Sequence, residues 1–386
     1  MSDKMINDLE TKVIHAGEPE ERICGAVAMP VFQSSTFESG DDAGYHDLRY
    51  IRLNNTPNHE VLHRKLAAIE GGGAALVAAS GMAAITTSLL TVLQAGDHLL
   101  AQSCLYGGTH HFITQDLERF GISHSLIDAD DPASWKAQLR ANTKAIYVET
   151  ITNPLIQVGD LTAVTQFAKD NGLISMIDNT FASPVNFQPL AQGFDLSLHS
   201  CTKYLNGHSD IVGGAAIGSA ELIEGIRHKL NHLGGSMDPH TCFLLQRGIK
   251  TLVLRVRHQN GSALKIARFL DQHERVAKVY YPGLETHPQY RRACELFSGF
   301  GGMLSFELKG DAASAQRFIQ DVTLPISAPS LGGVDSLITR PASTSHAGMT
   351  AKDREAMGIS DSLIRLSVGI ESTQDLIADF ERALNR

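Results

Sequence analysis

The sequence predicts an α/β protein in which helices cover a mainly parallel sheet, with a smaller α+β region after it. Three observations carry that expectation. Between residues 74 and 198 short apolar runs alternate with longer helical patterns, as they do where helices lie over a parallel sheet. After about residue 250 the texture changes to a long helical stretch followed by separated apolar runs. A chain of 386 residues, 43% apolar and 19% charged, is long enough to bury a sizeable core and favours two or three domains over one.

Taken in order, residues 1–50 carry Pro30, Gly40 and Gly44 and little periodicity. They read as an arm that needs another surface to become ordered, often a neighbouring subunit. Residues 51–250 are the expected large domain, with strands at 74–79, 98–101, 124–127, 145–148, 173–177 and 194–198. Residues 82–93 and 161–170 suit helices, and Asn171-Gly172 is a good stop for the second. Residues 251–386 are the expected small domain. Its strands are expected at 276–281, 303–308 and 363–368, and an amphipathic helix begins at Thr373. No repeat or low-complexity segment is visible.

Composition narrows the function. A net charge of -9 and a pI near 6.0 supply no basic field for nucleic acid. The start is polar and no apolar run approaches the length of a membrane span, so no membrane partner and a cytoplasmic location are expected. Cys24, Cys104, Cys201, Cys242 and Cys294 are odd in number and form no CxxC pair. They are expected to be reduced and mostly buried.

In open α/β sheets ligands sit beyond the carboxyl ends of the strands, so the residues after each apolar run are the first candidates. Ser80-Gly81-Met82 opens a helix, whose free N–H groups and positive dipole suit a phosphate, although such a junction is also a common turn. Asp178 ends a buried strand and needs a cation, a protonated ligand nitrogen, or a turn to cap through Asn179 or Thr180. Ser200-Cys201-Thr202-Lys203 places two hydroxyls and an amine at another strand end, where a lone lysine is otherwise a surface charge. Glu149-Thr150-Ile151-Thr152-Asn153-Pro154 is either an ordinary turn or an extended backbone, fixed by Pro154, that aims Asn153 at the same region.

The conjunction is more informative than its parts. A phosphate seat, then a carboxylate, then a lysine 25 positions on is the order that pyridoxal 5'-phosphate needs. That cofactor requires an imine-forming amine and an anionic partner for its pyridinium nitrogen. Lys203 would hold it as a Schiff base and then serve as the base for the α-proton, while Asp178 keeps the ring an electron sink.

At this point nearly the whole chain resembles the pyridoxal-phosphate enzymes of cysteine and methionine metabolism. That family includes cystathionine lyases and synthases, methionine γ-lyase and O-acylhomoserine sulfhydrylases. The most specific stretch runs from Asp195 through Ser200-Cys201-Thr202-Lys203-Tyr204 to Asp210. Ile177-Asp178-Asn179-Thr180-Phe181, Ala79-Ser80-Gly81-Met82, Leu105-Tyr106-Gly107-Gly108-Thr109, Ser330-Leu331-Gly332-Gly333 and the run 363–369 match in order. The resemblance implies a fold-type I, aspartate-aminotransferase-like architecture. It also implies a cytoplasmic homotetramer, a dimer of dimers, with active sites shared between two subunits.

Residue by residue, the resemblance implies that Ser80, Gly81, Met82, Ser200 and Thr202 hold the phosphate, with Thr180 also in the cofactor site. Tyr106 would stack on the ring and share in catalysis with Lys203 and Asp178. Asn153 would contact the ring hydroxyl and the substrate. Ser330 and Arg365 would receive the substrate α-carboxylate, for which a planar guanidinium suits a bidentate partner. Tyr50 and Arg52 would reach the phosphate of a neighbouring subunit, with Tyr50 also near the substrate. Here the family continues Gly-Asn-Pro-Thr, whereas this chain reads Asn54-Asn55-Thr56-Pro57-Asn58.

Two other readings compete. His59-Glu60-Val61-Leu62-His63 is a literal HExxH, which on a helix presents two zinc ligands and a base. No third ligand follows it, no metal is expected, and the alternative is a pair of helix-surface histidines. A non-catalytic subunit of the same fold is opposed by the retention of Lys203, Asp178 and Arg365 together. Within the family the expected reaction is carbon-sulfur cleavage of cystathionine by β- or γ-elimination. Replacement on an O-acylhomoserine and cleavage of methionine are the alternatives. Gly108 stands where methionine γ-lyases carry a cysteine, and Pro329 where cystathionine γ-lyases often have a glutamate. His111 stands where related enzymes often have an arginine, and Leu331 where many bacterial β-lyases have tryptophan. How Arg49, His111 and Pro329 meet the far end of the substrate is left open.

Overall fold

A computed structural model describes residues 7–39, 48–344, 347, 350, 352, 354 and 358–386. Gly40, Gly44 and the first six residues of the expected arm lie outside the described residues.

Seven strands form the first sheet: β1 (Ala74–Ala78), β2 (His98–Gln102), β3 (Ser123–Ile127), β4 (Thr143–Glu149), β5 (Ile174–Asp178), β6 (Leu196–Ser200) and β7 (Gly214–Gly218). Their order is β1-β7-β6-β5-β4-β2-β3. Pairing is parallel from β6 to β3, and only β7 runs against its neighbours. Six of these strands fall where apolar runs predict them. β7, Gly-Ala-Ala-Ile-Gly, carries too little apolar bulk to read as a strand, and that smallness is its function. A Cβ on Gly214 would lie 2.1 Å from the Ser80 carbonyl oxygen, so only glycine lets β7 pass beneath the helix that begins at Gly81.

The second sheet contains β8 (Val276–Tyr280), β9 (Met303–Leu308), β10 (Ile326–Ser327), β11 (Leu337–Thr339) and β12 (Leu363–Ser367) in the order β10-β11-β12-β9-β8. The helix Leu252–Gln272 links the two regions. Its buried residues contribute Val253 and Val256 to the core under the first sheet, and Ile266 and Leu270 to that of the second. The terminal helix Thr373–Leu384 packs on the same second core through Leu376 and Phe380.

Part of the arm is regular, contrary to its lack of periodicity. Leu9–His15 is a helix whose Val13 is buried against the helix Pro57–Glu70. The buried Lys65 ammonium donates to the carbonyls of Val13 at 3.2 Å and Ile14 at 3.0 Å, satisfying groups that a helix end leaves open. The short period of a seven-residue helix is hidden by a contact more than fifty residues away.

The HExxH residues lie on the helix Pro57–Glu70, but not as surface histidines. His59 is fully buried, with Nδ1 against Thr56 Oγ1 at 2.7 Å and Nε2 against the Met237 carbonyl at 2.8 Å. Glu60 pairs instead with Arg49 at 2.9 Å. Both ring nitrogens of His59 are committed to the protein, so the segment is a structural staple and not a zinc site. Among the cysteines Cys201 and Cys242 are buried, Cys104 is half-buried, and Cys24 and Cys294 are exposed, all free. The expectation of mostly buried thiols therefore holds for only two. No helix among the described residues is long and apolar enough to cross a membrane.

Candidate active site

A cavity of about 630 Å³ opens at the carboxyl ends of β1, β4, β5 and β6 and is closed from the other side by the loop at Ser330 and by β12. Ser80, Gly81, Met82, Tyr106, Asn153, Asp178, Thr180, Ser200, Thr202, Lys203, Ser330 and Arg365 all line it. Strand ends put them there: Asp178 and Ser200 are the last residues of β5 and β6, and Glu149 is the last of β4.

Lys203 follows β6 in a tight turn, its amide donating to the Ser200 carbonyl at 3.1 Å. The buried Arg255 of the linking helix donates to the carbonyls of Tyr204 at 2.9 Å and Gly248 at 2.8 Å, which ties that turn to the helix. The Lys203 ammonium reaches across the cavity to donate to Ser330 Oγ at 2.8 Å. Burial, and then the charge of Arg365, bring its pKa down to about 8.

Arg365 sits mid-strand in β12 and is buried. It donates to Asn153 Oδ1 at 3.1 Å and to the Ser330 carbonyl at 3.0 Å. Burial lowers its pKa only to about 10, so it stays a cation at neutral pH. Ser330 holds φ at 90°, a left-handed conformation costly for a side chain, and so presents its hydroxyl to Lys203 and its carbonyl to Arg365. The Asn153–Pro154 peptide is cis and residues 153–155 form a turn, the ordinary-turn alternative, with Asn153 lining the cavity.

Asp178 accepts from the Thr180 amide at 2.9 Å, the turn-capping alternative, and burial raises its pKa. Among the described residues it makes no ion pair, so a half-buried carboxylate stands at the cavity wall with room for a cation. The Ser80 hydroxyl caps the helix Gly81–Val92 by accepting from Ala83 at 3.0 Å, which leaves the first-turn amides of Gly81 and Met82 facing the cavity. A Cβ on Gly81 would lie 2.9 Å from Ser200 Cβ, so glycine lets Ser200 close on that turn. Thr202 Oγ1 accepts from the Gly213 amide at 3.0 Å and donates to the Gly213 carbonyl at 3.3 Å, a pair of bonds that fixes the hydroxyl at the cavity wall. Together these form an anion seat, an amine and an acid in one cavity, the set of groups that pyridoxal phosphate needs.

Tyr50 and Arg52 are not brought to this cavity. Arg52 donates to the Asn231 carbonyl at 2.8 Å, and both side chains are exposed. His111 is exposed, while Pro329 and Leu331 line the cavity. Glu149, absent from the sequence-derived site, also lines it and accepts from the Tyr106 amide at 2.6 Å. Its signal was the one that found Asp178: a carboxylate at the end of a buried strand.

Residues 10–385 match the family described as Cys/Met metabolism PLP-dependent enzymes. The chain belongs to that family. Its cofactor is pyridoxal 5'-phosphate, and it is a cystathionine lyase-like enzyme of amino-acid metabolism. It is 41% identical to a cystathionine beta-lyase of Lactococcus lactis subsp. cremoris, over 99% of this chain and 100% of the relative. It is 40% identical to an L-methionine gamma-lyase of Fusobacterium nucleatum subsp. polymorphum, over 98% of each. The crystal structure of cystathionine gamma-lyase from Lactobacillus plantarum complexed with L-serine superposes with a TM-score of 0.93 at 39% identity, covering 98% of both chains. The α/β fold-type I architecture is that of the family.

Proposed function

We propose that the enzyme cleaves a carbon-sulfur bond of cystathionine, with Lys203 as cofactor anchor and base. The observation that carries this reading is the Lys203 amine in a buried cavity, between a guanidinium fit for a carboxylate and an acid fit for a pyridinium. Bound pyridoxal phosphate supplies an electron sink for the carbanion formed at the substrate α-carbon. The amides of Gly81 and Met82, with the hydroxyls of Ser80, Ser200 and Thr202 around them, would hold its phosphate end, while Thr180 would steady Asp178 in the cofactor site. Asp178 would hold its ring nitrogen, Tyr106 would cover its face, and Asn153 would meet its hydroxyl. Arg365 and Ser330 would bind the α-carboxylate and so fix which α-substituent faces Lys203.

Released from the cofactor, the Lys203 amine takes the α-proton. With a pKa near 8 instead of 10.5, the neutral fraction at pH 7 rises about 300-fold. Cystathionine is favoured over methionine because Gly108 stands where methionine γ-lyases typically carry a cysteine. Exposed Tyr50 and Arg52 suit service to a neighbouring subunit, in a cytoplasmic homotetramer whose large domain spans residues 51–250.

Incubation with cystathionine tests the reading. Pyruvate with homocysteine identifies β-elimination, 2-oxobutyrate with cysteine identifies γ-elimination, and no turnover refutes the lyase assignment. Lys203→Ala should lose the visible absorbance of the covalently held cofactor. An unchanged spectrum would remove Lys203 from its role.

A further inference from the structure

Glu149 and Asp178 are register partners at the carboxyl ends of β4 and β5, and both face the cavity. Two adjacent carboxyls in a cavity shielded from bulk solvent resist ionising together, because the charge of each raises the pKa of the other. Their surroundings differ. Asp178 accepts from the Thr180 amide at 2.9 Å and is further favoured as an anion by the Thr180 hydroxyl and by His199. Glu149 accepts from one amide, that of Tyr106. The other groups near it add no positive charge. Tyr147, two residues back on the same strand, is fully buried with its phenol pushed upward chiefly by burial. Cys104 is likewise a neutral thiol, pushed up to about 12 chiefly by burial. The cations of the cavity, Lys203 and Arg365, are engaged with Ser330 and Asn153.

We propose that Glu149 is a positioning residue that works as a neutral carboxylic acid, anchoring the Tyr106 amide and leaving the negative charge of the pair to Asp178. The proposal rests on the reading of Asp178 and Tyr106 as cofactor contacts. Burial, followed by the charge of Asp178, raises the pKa of Glu149 well above the usual carboxyl range, in keeping with that geometry. Through its 2.6 Å bond, Glu149 fixes where the chain turns into the short helix Gly107–His111, and with it the root of the Tyr106 ring.

Infrared difference spectroscopy of the holoenzyme at neutral pH reads this directly. The carbonyl band of a protonated carboxylic acid should be present in the wild type and lost in Glu149→Gln. No such band in the wild type, or a band unchanged in Glu149→Gln, would overturn the proposal. Kinetics give a second readout. Glu149→Ala should lower kcat/KM about tenfold or more, the scale of one buried hydrogen bond left unmade, and Glu149→Gln, a neutral acceptor of the same reach, should recover most of that loss. A glutamine variant as impaired as the alanine variant would show that the ionised form is required. Failure of the underlying reading is separable, since it appears as full activity of Asp178→Asn whatever the state of Glu149.

Discussion

Removing the Arg365 guanidinium is the sharpest test of how substrate is held. The side chain is buried and remains a cation at neutral pH, with its pKa near 10. Two of its nitrogens are fixed by Asn153 Oδ1 at 3.1 Å and the Ser330 carbonyl at 3.0 Å, so the fork is already oriented before substrate arrives. A carboxylate received by that fork gains two charge-assisted hydrogen bonds of about 1.5–3 kcal/mol each. Arg365→Ala should therefore lower kcat/KM by about 3–6 kcal/mol, or roughly 10²- to 10⁴-fold. Most of the loss should fall on KM, because the carboxylate is bound in ground and transition states alike. Arg365→Lys keeps the charge but not the planar fork and should lie between the two. The assay is steady-state cleavage of cystathionine at saturating cofactor, with cofactor affinity titrated separately. A kcat/KM within about threefold of wild type, which is under 1 kcal/mol, would refute the assignment. So would a loss confined to cofactor affinity.

Three further outcomes are expected. Because the neutral amine of Lys203 is the active form and its pKa is about 8, kcat should rise with pH up to about 8 and level above it. Arg365→Ala should move that limb upward by removing a neighbouring positive charge, and a limb that stays in place would argue against Lys203 as the base. Asp178→Asn should still bind cofactor but lose about 10²-fold or more in kcat, the scale of removing a preorganised partner for developing charge; full activity would remove the electron-sink role. Burial lowers the pKa of His59 from 6.5 to about 4, so the neutral folded form contributes stability that is complete above pH 6.5 and lost as pH falls toward 4. That is about 3 kcal/mol. Urea unfolding of His59→Gln should show a correspondingly flatter dependence between those values, and an unchanged slope would contradict the buried, neutral assignment.

Most of the first sheet is legible because its strands are continuous apolar runs buried on both faces, and their ends point to the site directly. Asp178, Ser200 and Lys203 are found that way. Arg365 and Ser330 were not, since nothing local distinguishes an arginine in β12 from one on a solvated face. Only resemblance to a family links them to residues more than a hundred positions earlier. β7 escapes notice because its glycines and alanines answer a steric demand of Ser80 and Gly81 that no linear pattern displays. The staple at His59 is hidden for a similar reason: one of its two partners, the Met237 carbonyl, lies 178 residues away. Glu149 carries the same signal as Asp178, a carboxylate at the end of a buried strand, but its stretch reads equally as a turn set by Pro154.

The hydrogen bond from Lys203 to Ser330 joins groups supplied by the two separate sheet regions, and Arg365 belongs to the second while Asp178 belongs to the first. The span between the proton-taking amine and the carboxylate anchor is thus a distance between bodies. The helix Leu252–Gln272 sets it, through Arg255 at the lysine turn and through Asn260, whose amide donates to Asn186 at 2.7 Å while its carbonyl oxygen accepts from Gly301 at 3.0 Å. Selection for longer or shorter substrates would accordingly reward changes along this helix, remote from the cavity wall. A library confined to cavity-lining positions would miss the part of the molecule that adjusts its gauge.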